Sequence, residues 1–133
     1  MVSYDTTYEP AIPVTRVRIT DTFRSQTLGP LDVIIDSGAD CSSIPESAIG
    51  SWLRFDRETG RALDYNGNTL KQRFIRIVRA RVEILNDRGE VLLVREHLDL
   101  RLLVLQEEAL LGRDVLNHLV CELNGPGLRG ELR

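Results

Sequence analysis

Val33-Ile34-Ile35-Asp36-Ser37-Gly38-Ala39-Asp40 sets an acidic residue directly after a short apolar run. Leu31 to Ile35 is rich in β-branched side chains, which pack well on a pleated surface, so the spacing predicts a strand whose end is buried. Ser37-Gly38-Ala39 then breaks that strand with a turn. Gly38 lets the backbone approach whatever sits beside Asp36, and Ser37 offers a short hydroxyl able to fix a neighbouring backbone group. On its own an Asp-Ser-Gly is ordinary turn chemistry after a strand, so the surroundings decide its meaning.

Outward from there, the period is mostly two, which argues for strands. In Val14 to Thr20, Val17 and Ile19 fall on one face and Arg16 and Arg18 on the other. Cys41 to Ile44 reads as a return to extended structure. Pro45 to Leu53 has room for one helical turn, with Gly50 against a longer helix. Asn66-Gly67-Asn68, between Ala62–Tyr65 and Thr69–Ile77, is a strong hairpin signal. Phe74, Val78, Ala80, Val82 and Ile84 share a face; Asn86-Asp87-Arg88-Gly89 turns; and Leu98, Leu100, Leu102 and Val104 line the next strand. Val120 to Leu123 is a further strand, followed by a turn at Asn124-Gly125-Pro126-Gly127. Only Arg113 to His118 looks helical, with Asp114 in its first turn, where the dipole favours an anion, and Leu116 and Leu119 facing inward. Many short strands and one late helix predict an all-β, barrel-like domain.

A second segment gives the first its meaning. Ala109-Leu110-Leu111-Gly112-Arg113-Asp114-Val115-Leu116 has an apolar pair, a glycine, and then the helix opening on Arg113. Together the two segments resemble the signature of the retropepsins, the single-domain aspartic peptidases of retroviruses and their cellular relatives. That family carries Asp-Thr/Ser-Gly-Ala after an apolar strand and an apolar-apolar-Gly-Arg-Asn/Asp element before its one real helix. Leu110 to Asn124 is similar to the family's C-terminal segment without a gap. The resemblance spans about Val14 to Asn124.

It implies a retropepsin-like closed barrel or sandwich with one short C-terminal helix and a β-hairpin flap. The domain would be single over residues 1–133, with a core over about 14–124 and a C-terminal extension over 125–133. It further implies that Asp36 is catalytic, that Ser37, Gly38 and Ala39 support the active-site loop, and that Tyr65, Asn66, Gly67 and Asn68 form the flap. Asp40 and Arg113, beside Gly112, are expected to pair and brace the loop against the helix, with Asp40 also at the substrate edge. Hydrolysis of this kind uses two carboxylates that share one proton, since like charges so close cannot both ionise. Asp64, Asp87, Asp99 and Asp114 open no second Asp-Ser/Thr-Gly. The second aspartate would therefore come from another copy, and a twofold homodimer supplies it. The implied activity is an aspartic endopeptidase acting on peptides or proteins, without metal or organic cofactor. The rival is a catalytically inactive retropepsin-like module for dimerisation or peptide binding. The flap candidate departs from glycine-rich viral flaps, having one glycine, and the distance from Asp36 to Gly112 is longer than in compact viral enzymes.

Composition agrees with a globular domain: 133 residues, 42% hydrophobic and 28% charged, enough for one core but not a second lobe. A net charge of −3 gives no reason to expect a nucleic-acid partner. No apolar run approaches the roughly 20 residues that cross a bilayer, and Met1 to Pro10 lacks the pattern of a secretory signal. A cytoplasmic, free-standing cellular relative is the expectation. Cys41 and Cys121 are expected as buried thiols, and neither they nor His97 and His118 have the spacing of a zinc site. A Cys–His or Ser–His nucleophile has no motif to support it. Lys71, Arg73, Arg76, Arg79 and Arg81 read as a solvated strand face, with a preference for acidic substrates as the sharper alternative. Trp52 reads as core packing.

Overall fold

Alternation written into Ile12–Asp21 organises the first half of the molecule. In the computed structural model, which describes residues 2–21, 26–49, 57–63, 69–103 and 107–133, this segment is strand β2, preceded by β1 (Val2–Asp5). Thr15, Val17, Ile19 and Asp21 point inward, while Arg16 and Arg18 point outward. β3 (Gln26–Ile35) follows, longer than its apolar run, and buries Val33 and Ile35. A three-residue β4 (Ser43–Pro45) leads into the single turn of α1 (Glu46–Ile49). Two long strands, β6 (Thr69–Leu85) and β7 (Val91–Leu103), pair antiparallel after β5 (Arg57–Leu63). The chain closes with β8 (Leu110–Leu111), α2 (Arg113–Leu116), β9 (Cys121–Asn124) and β10 (Arg129–Leu132).

The class is all-β. Among the described residues the ten strands make one sheet in the order β5-β6-β7-β4-β8-β3-β2-β1-β10-β9. A further antiparallel pairing joins β2 to β6, from Arg16↔Leu85 to Thr20↔Arg81. The pairings therefore run in a cycle from β6 through β7, β4, β8, β3 and β2 back to β6. The side chains that alternate inward fill the space so enclosed: Val17, Ile19, Val78, Ala80, Val82, Ile84, Leu98, Leu100 and Leu102 are all buried in one cluster. Val115 of α2 is completely buried in it, and burying a side chain of that size is worth about 1.5–3 kcal/mol. Phe74, Val104 and Trp52, also expected to pack inward, have side chains outside the described residues.

The helix expected over Arg113–His118 is a four-residue turn, Arg113–Leu116, continued by single-turn hydrogen bonds from the amides of His118 and Leu119. The segment expected as a C-terminal extension supplies β10, which lies between β1 and β9. Leu132 and Val2 both belong to the core cluster. The turn at Asn86 to Gly89 forms as its composition predicts: the Asn86 Oδ1 accepts from the amides of Arg88 and Glu90 at 2.9 Å each, and Gly89 takes a φ of 80°, where a Cβ would be strained. Part of the basic run is paired rather than merely solvated. Arg79 meets Asp99 at 3.0 Å, and Arg81 meets Glu83 at 2.8 Å and Glu96 at 3.3 Å.

Candidate active site

Parallel pairing brings the two informative segments together. β3 and β8 run side by side in register, Ile34 with Leu110 and Ile35 with Leu111, so both strands end at the same edge of the sheet. The ladder's last bond is made by Asp36 itself, whose amide donates to the Leu111 carbonyl at 3.0 Å. Asp36 sits half-buried one residue past β3. Its Oδ1 accepts from the Gly38 amide at 2.9 Å, and the Ala39 amide donates to the Asp36 carbonyl at 3.2 Å. The side chain and backbone of one residue thus close the turn that Ser37 and Gly38 form.

Gly112 is where the two segments touch. A Cβ there would stand 2.6 Å from the Cys41 carbonyl carbon, 2.7 Å from its oxygen and 3.0 Å from the Ala39 oxygen, so only glycine fits against this backbone. The next amide, of Arg113, donates to the Ala39 carbonyl at 2.9 Å. Gly112 caps α2 in an extended conformation without a side-chain cap. Its carbonyl instead accepts from the amides of Val115 and Leu116.

A polar brace lies behind this contact. Ser42 is 1% exposed, and its Oγ donates to Asp114 Oδ1 at 2.7 Å while accepting from the Gly112 amide at 3.0 Å. The Ser42 amide lies 3.0 Å from each Asp114 oxygen. Bonds to an ionised carboxylate are stronger than neutral ones, and the buried Ser42 hydroxyl has a partner both as donor and as acceptor. The expected pair of Asp40 and Arg113 is not made: both side chains are exposed, and among the described residues no ion pair joins them. An exposed pair has little to gain from holding two long side chains in one geometry. Asp114, placed by sequence only as an anion in a helix's first turn, does the bracing.

No protein-family model matches the sequence, and no curated protein does. Among solved structures, a retropepsin-like aspartic protease from Rickettsia conorii superposes with a TM-score of 0.56, covering 93% of this chain and 83% of that one at 7% sequence identity. The fold is retropepsin-like. The EIAV protease, solved with an inhibitor, aligns with a TM-score of 0.45 at 25% identity, covering 80% of this chain and 86% of that one.

In this retropepsin-like fold Asp36, Gly38, Ala39, Gly112 and the Arg113 backbone converge, whereas Ser37, Asp40 and Arg113 are exposed. Tyr65, Asn66, Gly67 and Asn68 lie outside the described residues; the flanking β5 and β6 pair antiparallel as far as Leu63↔Thr69. Ser42 went unremarked in the sequence, its one signal being a polar residue between Cys41 and the apolar Ile44. Cys41 and Cys121 are free and only half-buried. Burial pushes both thiols above their ordinary pKa; at Cys41 the nearby Arg101 opposes this, and Asp40 and Asp114 add to it. Among the described residues no three His, Cys, Asp or Glu side chains are grouped to hold a metal ion.

Proposed function

We propose that this protein is an aspartic endopeptidase that hydrolyses peptide bonds with a water activated between the Asp36 carboxylates of two identical subunits. The observation that carries the proposal is the anchored, half-buried Asp36. Its amide is tied to Leu111 and its Oδ1 to the Gly38 amide, on a loop stitched to Gly112 and Arg113 in a retropepsin-like fold. One chain supplies one such loop, so a twofold pair completes the site. With one proton shared between the two carboxylates, the ionised one takes a proton from water as the water attacks the scissile carbonyl carbon. The protonated one gives its proton to the carbonyl oxygen. Collapse of the tetrahedral diol breaks the C–N bond as the carboxyl that took water's proton passes it to the amine nitrogen. The other carboxylate takes a proton from a diol hydroxyl, so the pair is left again with one shared proton.

The test is digestion of a diverse peptide mixture at several pH values by the wild-type protein and by Asp36→Asn, with dimerisation followed in parallel. Asp36→Asn should abolish cleavage and leave dimer and fold nearly intact. Wild-type specific activity should rise with enzyme concentration until the dimer is saturated, because a monomer holds half a site. Cleavage by a clean Asp36→Asn preparation would refute the assignment. A wild-type protein that dimerises yet cleaves nothing at any pH would be a non-catalytic module instead.

A further inference from the structure

We propose that the Leu111–Gly112 peptide unit is a relay through which Ser42 and Asp114 set the position of Asp36. Ser42 and Asp114 are then positioning residues for the hydrolysis, an inference that rests on the catalytic reading of Asp36. The Leu111 carbonyl and the Gly112 amide belong to the same planar peptide group and point in opposite directions from it. On one side the carbonyl accepts from the Asp36 amide at 3.0 Å. On the other the N–H donates to Ser42 Oγ at 3.0 Å. The plane cannot turn on one side without turning on the other, so whatever orients Ser42 also orients the backbone of Asp36.

Asp114 orients Ser42. An ionised carboxylate only accepts, so the single hydroxyl hydrogen of Ser42 goes to Asp114 Oδ1 at 2.7 Å, leaving a lone pair for Gly112. The Ser42 amide, 3.0 Å from both Asp114 oxygens, fixes the same residue by its backbone. Gly112 has little room to shift, because its Cα lies close against the backbone of Cys41 and Ala39. The chain of contacts runs from α2 through the loop to the strand end without a gap, and Asp114 and Ser42 touch none of the reacting atoms.

The test compares Ser42→Ala, Ser42→Thr and Asp114→Asn by steady-state kinetics and by amide hydrogen exchange. Ser42→Ala should lower kcat by about 10–100-fold with KM nearly unchanged, the effect of a small misplacement of a reacting group. Asp114→Asn, which keeps an oxygen but loses the charge, should fall between Ser42→Ala and the wild type. Ser42→Thr, which keeps the hydroxyl, should recover most of the loss. In Ser42→Ala the amides of Gly112 and Asp36 should both exchange at least about tenfold faster, while Val82 and Leu98 in the far strands keep their protection. Faster exchange at Gly112 with an unchanged Asp36 would overturn the relay, as would an unchanged kcat. Should the wild-type protein cleave nothing, the catalytic reading falls, and the coupled or uncoupled exchange of Gly112 and Asp36 alone decides the relay.

Discussion

Adding a single methyl group at Gly112 should cost this protein much of its stability. The residue's φ of −94° is ordinary for any L-residue, so Gly112→Ala carries no backbone strain and its cost is steric. The new Cβ would stand 2.6 Å from the Cys41 carbonyl carbon, where ordinary contact begins at 3.4 Å. The neighbours are backbone atoms and cannot rotate aside, so the loop and the start of α2 must separate by roughly 0.8 Å, an overpacking that typically costs about 1–3 kcal/mol. That separation stretches the Arg113–Ala39 bond, now 2.9 Å, and the Gly112–Ser42 bond, now 3.0 Å, beyond useful length, at about 1 kcal/mol each. The sum, roughly 3–5 kcal/mol, is a large share of the 5–15 kcal/mol that holds a typical domain folded. Equilibrium urea unfolding at one fixed protein concentration should show the midpoint falling by roughly 1.5–2.5 M for a slope near 2 kcal/mol/M. A midpoint within about 0.3 M of wild type would mean that the two segments are not pressed together as described.

Other expectations follow from the same contacts. Arg113→Ala should change stability by less than about 0.5 kcal/mol, and combining it with Asp40→Ala should be additive in thermal unfolding; a coupling above about 1 kcal/mol would mean that the two side chains pair after all. Glu83→Ala should cost about 1–2 kcal/mol in urea unfolding, discounted for partial exposure, because Glu83 meets Arg18 at 3.2 Å and Arg81 at 2.8 Å; no loss would show that the cluster contributes nothing. Burial raises the folded-state pKa of Cys41, so its neutral thiol favours the folded state. That contribution is whole below the ordinary value of 9.0 and is lost as pH rises through the higher folded value. Alkylation near pH 8 should accordingly be slower in the native protein than in urea, and equal rates would refute the shift.

What the sequence could disclose depended on whether a residue's role is local. Val17 and Ile19, or Val78 to Ile84, state their burial by alternation, because a strand turns over at every residue. Asp36 and Gly112 were legible as two short patterns, and the parallel pairing of β3 with β8 sets them beside each other. Ser42 and Asp114 were not legible as partners, since a single polar contact across 72 positions leaves no periodic trace. Asp40 and Arg113 misled for the opposite reason: the resemblance to the retropepsins implied a pair, but here both side chains are exposed and exposure removes the incentive to form it. Val2 and Leu132 lie in short, polar-looking segments, and only tertiary pairing reveals them as core.

That last pairing bears on how the molecule is made. β10 slots between β1 and β9, with Val2 opposite Gly130, so residues from nearly opposite ends of the sequence must meet before β1 gains its second neighbour. Contacts of such sequence separation slow folding, because closing the intervening loop costs entropy before any pairing repays it. On the ribosome, β1 can pair with β2 early but must wait with one edge open until β10 has emerged. An open edge is a template for the wrong strand. Truncation within 129–132 should therefore show first as aggregation during synthesis, ahead of any loss of the Asp36 loop.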